Sequence, residues 1–369
     1  MAVSAVDCVQ PALQHTREQL FRPFRFGQWS RLALVGFLAA ELHTSGCNFN
    51  GFSFPFPQQR RGHEFVAAPF PVIDPAHIAQ LAGLIAALVG IAIVVFFIFL
   101  YLNSVFRFIL FDSVIKKRCS ISEGWSRWHR AGRRYFVWQL VLLITEFLTL
   151  GVLIGVPLAC AAALGWFRNI GQHLGRTVLG VILLLGLLLV FFLLAIIVQL
   201  LAKDFLVPIM ALDDEDFADG WSRLLALIRP EPGKFAIYLL LKVVMAVAAA
   251  ILFGILLILP ILALVLPAVL AVFAGYKAGL GWNAATVSLA IIGGTMLLSL
   301  LLYLVALVNV PATIFFPAFS LYFFASRYPK LDALLNPAPM PVAPVLPPLP
   351  EFSPPFEAPP LPPSPEPIG

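Results

Sequence analysis

Two ionisable residues, Glu146 and Lys242, interrupt apolar runs of the sequence and are the first candidates for chemistry. Glu146 follows Phe136 by ten residues, about 15 Å along a helix, which places it near the middle of a predicted membrane span. A charge at the centre of a bilayer costs about 2.5–3.5 kcal/mol on insertion scales. Glu146 should therefore face other helices and either have a partner or be protonated.

Lys242 follows Glu146 by 96 residues, and this spacing indicates how the two could be related. A buried Glu146–Lys242 ion pair between helical hairpins, or a proton-coupled site, is the specific hypothesis. In the alternative, Lys242 extends its ammonium group to the membrane surface and Glu146 stays neutral. Four amides also lie in or near predicted spans, and hydrogen bonds between helices, worth about 0.6 kcal/mol each, are their expected role: Gln139, Gln199, Asn103 and Asn309.

Neither of two further polar clusters has the spacing of a metal site. The acidic stretch from Asp213 to Asp219 does not follow a calcium-binding loop, because Phe217 and Ala218 occupy ligand positions. A second group matches no standard zinc pattern: His43, Cys47, His63 and Glu64. Nucleotide-binding and hydrolase motifs were not found either. The sequence therefore predicts no metal, no cofactor and no catalytic residues, and it favours a non-enzymatic role.

The tripeptide Trp-Ser-Arg occurs three times at a fixed step of 96 residues, at Trp29-Ser30-Arg31, Trp125-Ser126-Arg127 and Trp221-Ser222-Arg223. Each copy lies in a polar segment just before a long apolar run. A fixed period with shared flanks indicates an internal repeat, although a three-residue match can also recur by chance.

The second and third tripeptides follow a helix start signal. Ser120 and Asp216 are each followed three residues later by an acid, the pattern of an N-cap side chain that accepts a backbone N–H. The apolar residues that come next recur at helical spacing, with arginines on the polar side. The pattern predicts short amphipathic helices lying flat at the cytoplasmic membrane surface, and the first copy lacks the acid-capped start.

Composition places the chain in the class of polytopic α-helical membrane proteins. It is 60% hydrophobic and only 12% charged, with a mean hydropathy of +0.94. A soluble domain could not cover that much apolar surface. The net charge of +5 is explained by lysines and arginines in cytoplasmic loops, so nucleic acid is not an expected partner.

Three segments are expected: a cytoplasmic amphipathic segment over 1–31, a transmembrane domain over 32–335 and a disordered Pro-rich cytoplasmic tail over 336–369. The domain is predicted to be a bundle of six spans in three repeated hairpins, near 32–42, 79–102, 136–164, 178–201, 235–259 and 284–309. The first span is short. The apolar run over 261–275, which follows Pro260, could continue the preceding helix, form a half-helix or re-enter the membrane.

Orientation follows from the basic loop over 116–135, which should be cytoplasmic. With six spans, a cytoplasmic loop at this place in the chain puts both termini in the cytoplasm as well. The membrane is expected to be a cell inner membrane. All three Trp-Ser-Arg segments then share the cytoplasmic face.

Two stretches resemble a known family. They are the opening from Arg22 to Trp29 with the apolar run that follows, and the segment from Phe205 to Met210 with Gly220-Trp221 after it. They resemble an uncharacterised family of prokaryotic multi-pass membrane proteins and, more distantly, the membrane domain of some glycerophosphodiester phosphodiesterases. The resemblance implies an inner-membrane protein of unknown activity. It implies no hydrolase activity, because the phosphodiesterase catalytic domain has no counterpart in this sequence.

The leading functional hypothesis is a membrane-organising or accessory protein. Its partners would be membrane lipids and a protein bound through the Pro-rich tail or the interfacial helices. The alternative is a transporter or lipid-handling protein that uses Glu146 and Lys242 in a bundle of Pro-broken helices. An intramembrane enzyme is disfavoured, because no His, Asp or Ser cluster lies at membrane depth.

Overall fold

The computed structural model describes residues 4–39, 75–165, 174–279, 281 and 283–336, and over these residues the protein is all-α. A 3-10 turn (Val6–Cys8) precedes the first helix, and a π-helical segment (Ala202–Leu206) joins the fifth to the sixth. In chain order the α-helices are α1 (Val9–Phe21), α2 (Phe26–Leu38), α3 (Pro75–Ile115), α4 (Ile121–Ala163), α5 (Leu174–Leu201), α6 (Val207–Asp213), α7 (Phe217–Ile228), α8 (Pro232–Lys277), α9 (Ala284–Val308), α10 (Val310–Ala325) and α11 (Pro329–Leu335).

Five stretches of helix among the described residues are long and apolar enough to cross a membrane. Their most apolar windows have mean hydropathies of 2.2 to 3.5, and between 0 and 11% of each window is buried by the rest of the protein. Water would not solvate so much apolar surface, whereas lipid would. The chain is therefore a multi-pass membrane protein. The five stretches are Ala82–Ile115, Ile121–Ala163, Thr177–Asp213, Pro232–Lys277 and Ala284–Val308.

The packed core lies at one end of these long helices, in a region that we call the base. The base consists of α1, α2, the π-helical segment, α6, α7, α10 and α11, together with the adjoining ends of α3, α4 and α8. Its centre is α10, in which twelve of sixteen residues are buried. Aromatic rings pack around it, with the Tyr238 ring stacked on Phe323 at a centroid distance of 4.5 Å and on Phe319 at 5.2 Å.

The N-terminal helices belong to the base, and polar bonds attach them to it. In α1, a ring nitrogen of His15 lies 3.0 Å from the carbonyl oxygen of Val114, at the end of α3. In α2, the indole N–H of Trp29 donates to the carbonyl oxygen of Leu307 at the end of α9 (2.9 Å). Both ends of the described chain, α1–α2 and α10–α11, therefore pack in the same region.

α3 and α4 form an antiparallel hairpin that is closely packed because two glycines face α3. A Cβ on Gly124 would lie 3.1 Å from the side chain of Ile109. A Cβ on Gly132 would lie 2.8 Å from the backbone Cα of Val105, which cannot move aside as a side-chain tip can. Glycine is thus required at position 132 for the two backbones to approach this closely.

The helix starts predicted at Ser120 and Asp216 are confirmed, but the capping bonds are not. Both residues have extended backbone conformations directly before α4 and α7, yet neither side chain accepts a hydrogen bond from its helix. Asp216 instead contacts the Arg134 guanidinium, with Nε to Oδ1 at 3.4 Å. The short amphipathic helix expected around Trp125 is not separate from the next span, because α4 runs unbroken through both.

The prolines do not divide the long helices as expected. α8 runs for 46 residues through Pro260 and Pro267, and α4 continues through Pro157. The stretch over 261–275 is therefore a continuation of the helix, one of the three possibilities left open above. The Pro-broken helices of the transporter or lipid-handling alternative are not found at these three positions. A proline removes one backbone hydrogen bond, a local defect that a long membrane helix tolerates.

Five spans are supported, and the sixth predicted span is not among them. Its described part falls in α2, a helix of 13 residues, or about 20 Å, that packs against α3, α9 and α10. Residues 40–42 lie outside the described part of the chain, so a crossing near 32–42 stays a prediction. The loop over 43–74 and the tail after residue 336 also lie outside it.

The close approach of α3 and α4 gives a stability test. Gly132→Ala should lower the free energy of unfolding by about 1–3 kcal/mol, because the new methyl group would overpack the Val105 backbone. Gly151→Ala is the matched control on α4, since a Cβ there meets nothing within 4 Å and alanine favours helix. Thermal unfolding of the two purified variants, followed by circular dichroism, should separate them. Equal midpoints would contradict this packing.

Candidate lipid site between α2 and α5

A cavity of about 500 Å³ lies where the long helices leave the base, between α2, α3, α4 and α5. We call it the α2–α5 cavity. α3 contributes positions 96, 99, 100, 103 and 107, and α4 contributes positions 135, 138, 139, 142, 143 and 146. These spacings place each set on one face of its helix. Phe37 and Leu38 of α2 and Gln199 of α5 complete the wall.

The lining is ordered along the hairpin because its two helices are antiparallel. Arg107 and Tyr135 lie together at the base end, and one turn further out Ser104 donates its hydroxyl proton to the Gln139 side-chain oxygen (2.6 Å). Glu146 lies eleven residues beyond Tyr135, about 16 Å along α4. The cavity thus has a cationic group at its base end and a carboxyl group at its outer end.

Four of the predicted polar residues line this cavity: Asn103, Gln139, Glu146 and Gln199. Gln199 of α5 donates to the Glu146 carboxyl group (Nε2 to Oε1, 3.2 Å), and Gln139 bonds across the α3–α4 hairpin to Ser104. Both amides bond between helices, as expected of structural amides in a bundle. Asn309 differs, because its amide donates to Val305 within its own stretch of chain.

Lys242 lies elsewhere, in a buried ion pair with Asp204. Its ammonium group is 2.5 Å from both carboxylate oxygens, and the Tyr238 hydroxyl donates to Asp204 at 2.9 Å. Both charged side chains are only 3% exposed. A pair so enclosed is expected to be sensitive to the loss of either partner, because the remaining charge would be left without compensation.

The predicted Glu146–Lys242 pair is therefore wrong. Each residue has a closer partner on a neighbouring helix, Gln199 for Glu146 and Asp204 for Lys242. Hydropathy did not single out Asp204, because this residue lies three residues past the predicted end of a span at Leu201. The missed signal was an acid directly after Lys203 and directly before the apolar run from Phe205 to Met210.

Arg107 also lines the cavity, and the spacing of the sequence did not single it out as a candidate. Its Nη1 donates to the Tyr135 hydroxyl at 2.6 Å, and its guanidinium carbon lies 5.5 Å from the centre of that ring. The Nε atom is buried without a hydrogen-bond partner among the described residues, as is Oδ1 of Asn103 one turn away. No described carboxylate lies within ion-pair distance of Arg107.

Arg107 also borders a second, much smaller space of about 30 Å³ that leads towards the ion pair. Its polar lining contains three cations and one acid: Arg107, Lys203, Lys242 and Asp204. Within this space Lys242 and Asp204 form the ion pair described above.

The tryptophans of the three tripeptides lie in the first turns of α2, α4 and α7 and pack against other aromatic rings. Trp29 packs on Phe21 and Phe24, each with a centroid distance of 5.5 Å. Trp125 lies 6.1 Å from Tyr101, and Trp221 lies 6.4 Å from Trp138. These contacts pack the starts of α2, α4 and α7 against the base.

The arginines of the same tripeptides have unequal surroundings. Arg31 is exposed, Arg127 lies 3.6 Å from Asp112, and Arg223 contacts Asp213 and, at 3.0 Å, Glu215. Asp213 also accepts hydrogen bonds from Tyr328 and Lys330, which ties α6 to the start of α11. The acidic stretch at 213–216 therefore joins helices through arginine, tyrosine and lysine partners.

The described residues contain no group of three or more His, Cys, Asp or Glu side chains placed to hold a metal ion. The cluster of His43, Cys47, His63 and Glu64 lies outside them. The polar side chains of the α2–α5 cavity can form hydrogen bonds, and two of them can carry charge: Asn103, Arg107, Gln139, Glu146 and Gln199.

A comparison with protein families matches residues 3–334 to a family of unknown function, DUF7544. The chain belongs to this family. No curated protein and no solved structure matches it. The membership agrees with the resemblance to an uncharacterised membrane family, and the distant link to the glycerophosphodiester phosphodiesterases stays a prediction.

The buried pair provides a second stability test. Lys242→Met should lower the free energy of unfolding by about 3–5 kcal/mol, because Asp204 would remain buried without a cation. Asp204→Asn combined with Lys242→Met should recover part of that loss. Lys234→Met is the matched control on α8: its partner Glu231 is near the surface, so the cost should stay below about 1 kcal/mol. Equal losses for the two single variants, measured by thermal unfolding, would contradict a buried pair.

Proposed function

We propose that this protein binds a membrane lipid in the α2–α5 cavity and holds or transfers it without chemical change. The observation that supports the proposal is the composition of the cavity wall. Phenylalanine and leucine contribute half of its residues, while Arg107, Asn103 and Gln139 lie together near the base. A ligand with a polar head and an apolar body fits such a wall.

The volume of the cavity and its continuity with an outer groove also support a lipid ligand. A volume of about 500 Å³ is within the usual range for small-molecule sites, and it suits a headgroup with the first part of an acyl chain. Leu143 lines this cavity and also a wide apolar groove on the outer part of α3 and α4. An acyl chain leaving the cavity past Leu143 would lie in that groove, beside Phe97 and Phe147.

The proposal favours the lipid-handling alternative over a carrier of hydrophilic solutes. The lining of the outer groove is apolar throughout, so a polar solute would lose its hydration there without replacement. Glu146 forms part of the cavity wall in this account, and Lys242 stabilises the adjoining base through Asp204.

A membrane-organising role remains the second candidate. The observation that favours it is the exposed basic face of α4, on which Arg130 and Arg133 lie away from the core. This face, the interfacial helices or the Pro-rich tail would then bind a protein partner. The two candidates are compatible, since a lipid-binding accessory protein would use both surfaces.

We also propose a membrane topology for the chain. Five crossings would place the ends of the chain on opposite sides of the membrane, whereas α1–α2 and α10–α11 pack in one base. An even number of crossings, such as the six predicted, would reconcile these observations. We propose that the base is cytoplasmic, that the membrane is a cell inner membrane and that the three Trp-Ser-Arg segments mark repeated hairpins.

The lipid proposal is tested by blocking the cavity. Leu100→Trp should reduce the amount of lipid that copurifies with the protein at least about threefold, because the larger ring would occupy the cavity. Ile98→Trp is the matched control, since Ile98 lies on α3 with 52% of its surface exposed and outside the cavity. Lipid extracted from detergent-purified protein should be quantified by mass spectrometry. Equal lipid in the two variants, or none in the wild type, would refute the proposal.

The orientation is tested with Cys160, which is exposed near the outer end of α4. It lies 22 residues past Trp138, about 33 Å, close to the thickness of a hydrocarbon core. With Cys8, Cys47 and Cys119 replaced by serine, an impermeant maleimide should label Cys160 in intact cells.

The matched control for this labelling is Ser122→Cys with Cys160 also replaced, because Ser122 is exposed at the base end of the same helix. It should react only after the cells are permeabilised. The native Cys119 is a poor probe, since its thiol is buried and burial raises its pKa. The opposite labelling pattern would place the base outside the cell.

A further inference from the structure

We infer that the α2–α5 cavity takes a phospholipid, and that the phosphate group of this lipid lies at Arg107. The inference rests on the proposed lipid-binding function and specifies the chemical class of its ligand. The observation that carries it is the guanidinium group of Arg107, which lines the cavity without a carboxylate partner among the described residues.

The acids near Arg107 are all occupied by other groups. Asp204, which borders the same small space, bonds Lys242 and Tyr238. Glu146 accepts a hydrogen bond from Gln199 at the other end of the cavity. Asp112, slightly more than one turn along α3, pairs with Lys116 at 2.9 Å. Within the described chain, the positive charge of Arg107 is therefore not neutralised by an acid.

An arginine in this position requires an anion more strongly than a lysine would. Its guanidinium group cannot lose its proton in a protein, so burial cannot neutralise it. The Tyr135 hydroxyl accepts one of its five N–H bonds but contributes no negative charge. Phosphate oxygens match the planar fork of the remaining donors, and charge-assisted bonds of this kind are the strong ones.

The polarity of the cavity also fixes which way the lipid lies. The guanidinium group of Arg107 lies at the base end of the cavity wall, beside the Tyr135 hydroxyl. The outer end has the Glu146 carboxyl group, which offers a phosphate no attraction. The headgroup should thus face the base, with Asn103 beside it, and the acyl chains should point outward along the apolar groove.

The test compares two lipids with identical acyl chains, phosphatidylglycerol and diacylglycerol, which differ by the phosphate-bearing headgroup. Each is titrated onto delipidated wild-type protein in detergent, and bound lipid is measured by native mass spectrometry. Phosphatidylglycerol should bind at least about tenfold more tightly, as expected for a charge-assisted hydrogen bond. Arg107→Gln should remove most of this preference and leave diacylglycerol binding unchanged.

Two further variants control for charge and folding. Arg118→Gln removes the same charge from an exposed position outside the cavity and should behave like the wild type. Arg107→Lys keeps a cation and should retain part of the preference. If Arg107→Gln and Arg118→Gln bind phosphatidylglycerol equally, the inference is wrong. The proposed lipid binding would still stand if Leu100→Trp reduced the bound lipid as expected above.

Other outcomes separate the remaining possibilities. If the wild type binds neither lipid, the proposed function fails together with the inference. If millimolar inorganic phosphate binds in an Arg107-dependent way and displaces phosphatidylglycerol, the site takes free phosphate and the phospholipid assignment is overturned. If phosphate does not compete and Arg107→Gln alone loses phosphatidylglycerol, the assignment is supported.

Discussion

The five long helices expose apolar side chains that the hydrocarbon of a membrane can solvate and water cannot. This requirement for hydrocarbon determines where the polar side chains of the protein lie. The apolar windows of these helices are almost wholly unburied by the rest of the chain, so lipid must cover them. Polar side chains are thereby concentrated in the base and at the line where the helices leave it. The ion pair of Asp204 with Lys242 and the α2–α5 cavity both lie along that line.

Two cations that border the same small space in the base have different surroundings. Lys242 lies against Asp204 and Tyr238, a closed arrangement that contributes to the integrity of the core. Arg107 has a neutral partner in Tyr135 and opens onto a cavity. A cation that is partly buried and has no acid beside it among the described residues is costly to maintain for folding alone. The difference between these two cations is the physical basis for assigning a ligand to one of them.

Much of the architecture could be predicted because it depends on local patterns. Hydropathy identified the membrane class, and cap-like residues gave the starts of α4 and α7 at Ile121 and Phe217. Spacing also found Glu146, which lines the cavity. The partner of Lys242 could not be found this way, because Asp204 lies in the π-helical segment that begins directly after α5, just past the end of the predicted span at 201. Periodicity could not reveal Arg107 either. Its proposed role depends on the partners that Asp112, Asp204 and Glu146 have in the folded protein.

We propose that the α2–α5 cavity contains a phospholipid whose phosphate lies at Arg107. An experimental density map of the protein in nanodiscs that contain phosphatidylglycerol tests it most directly. We expect elongated density that starts within hydrogen-bond distance of the Arg107 guanidinium and continues past Leu143 into the outer groove. A map at the same resolution in which the cavity is closed, or in which a protein carboxylate reaches Arg107, would contradict the account.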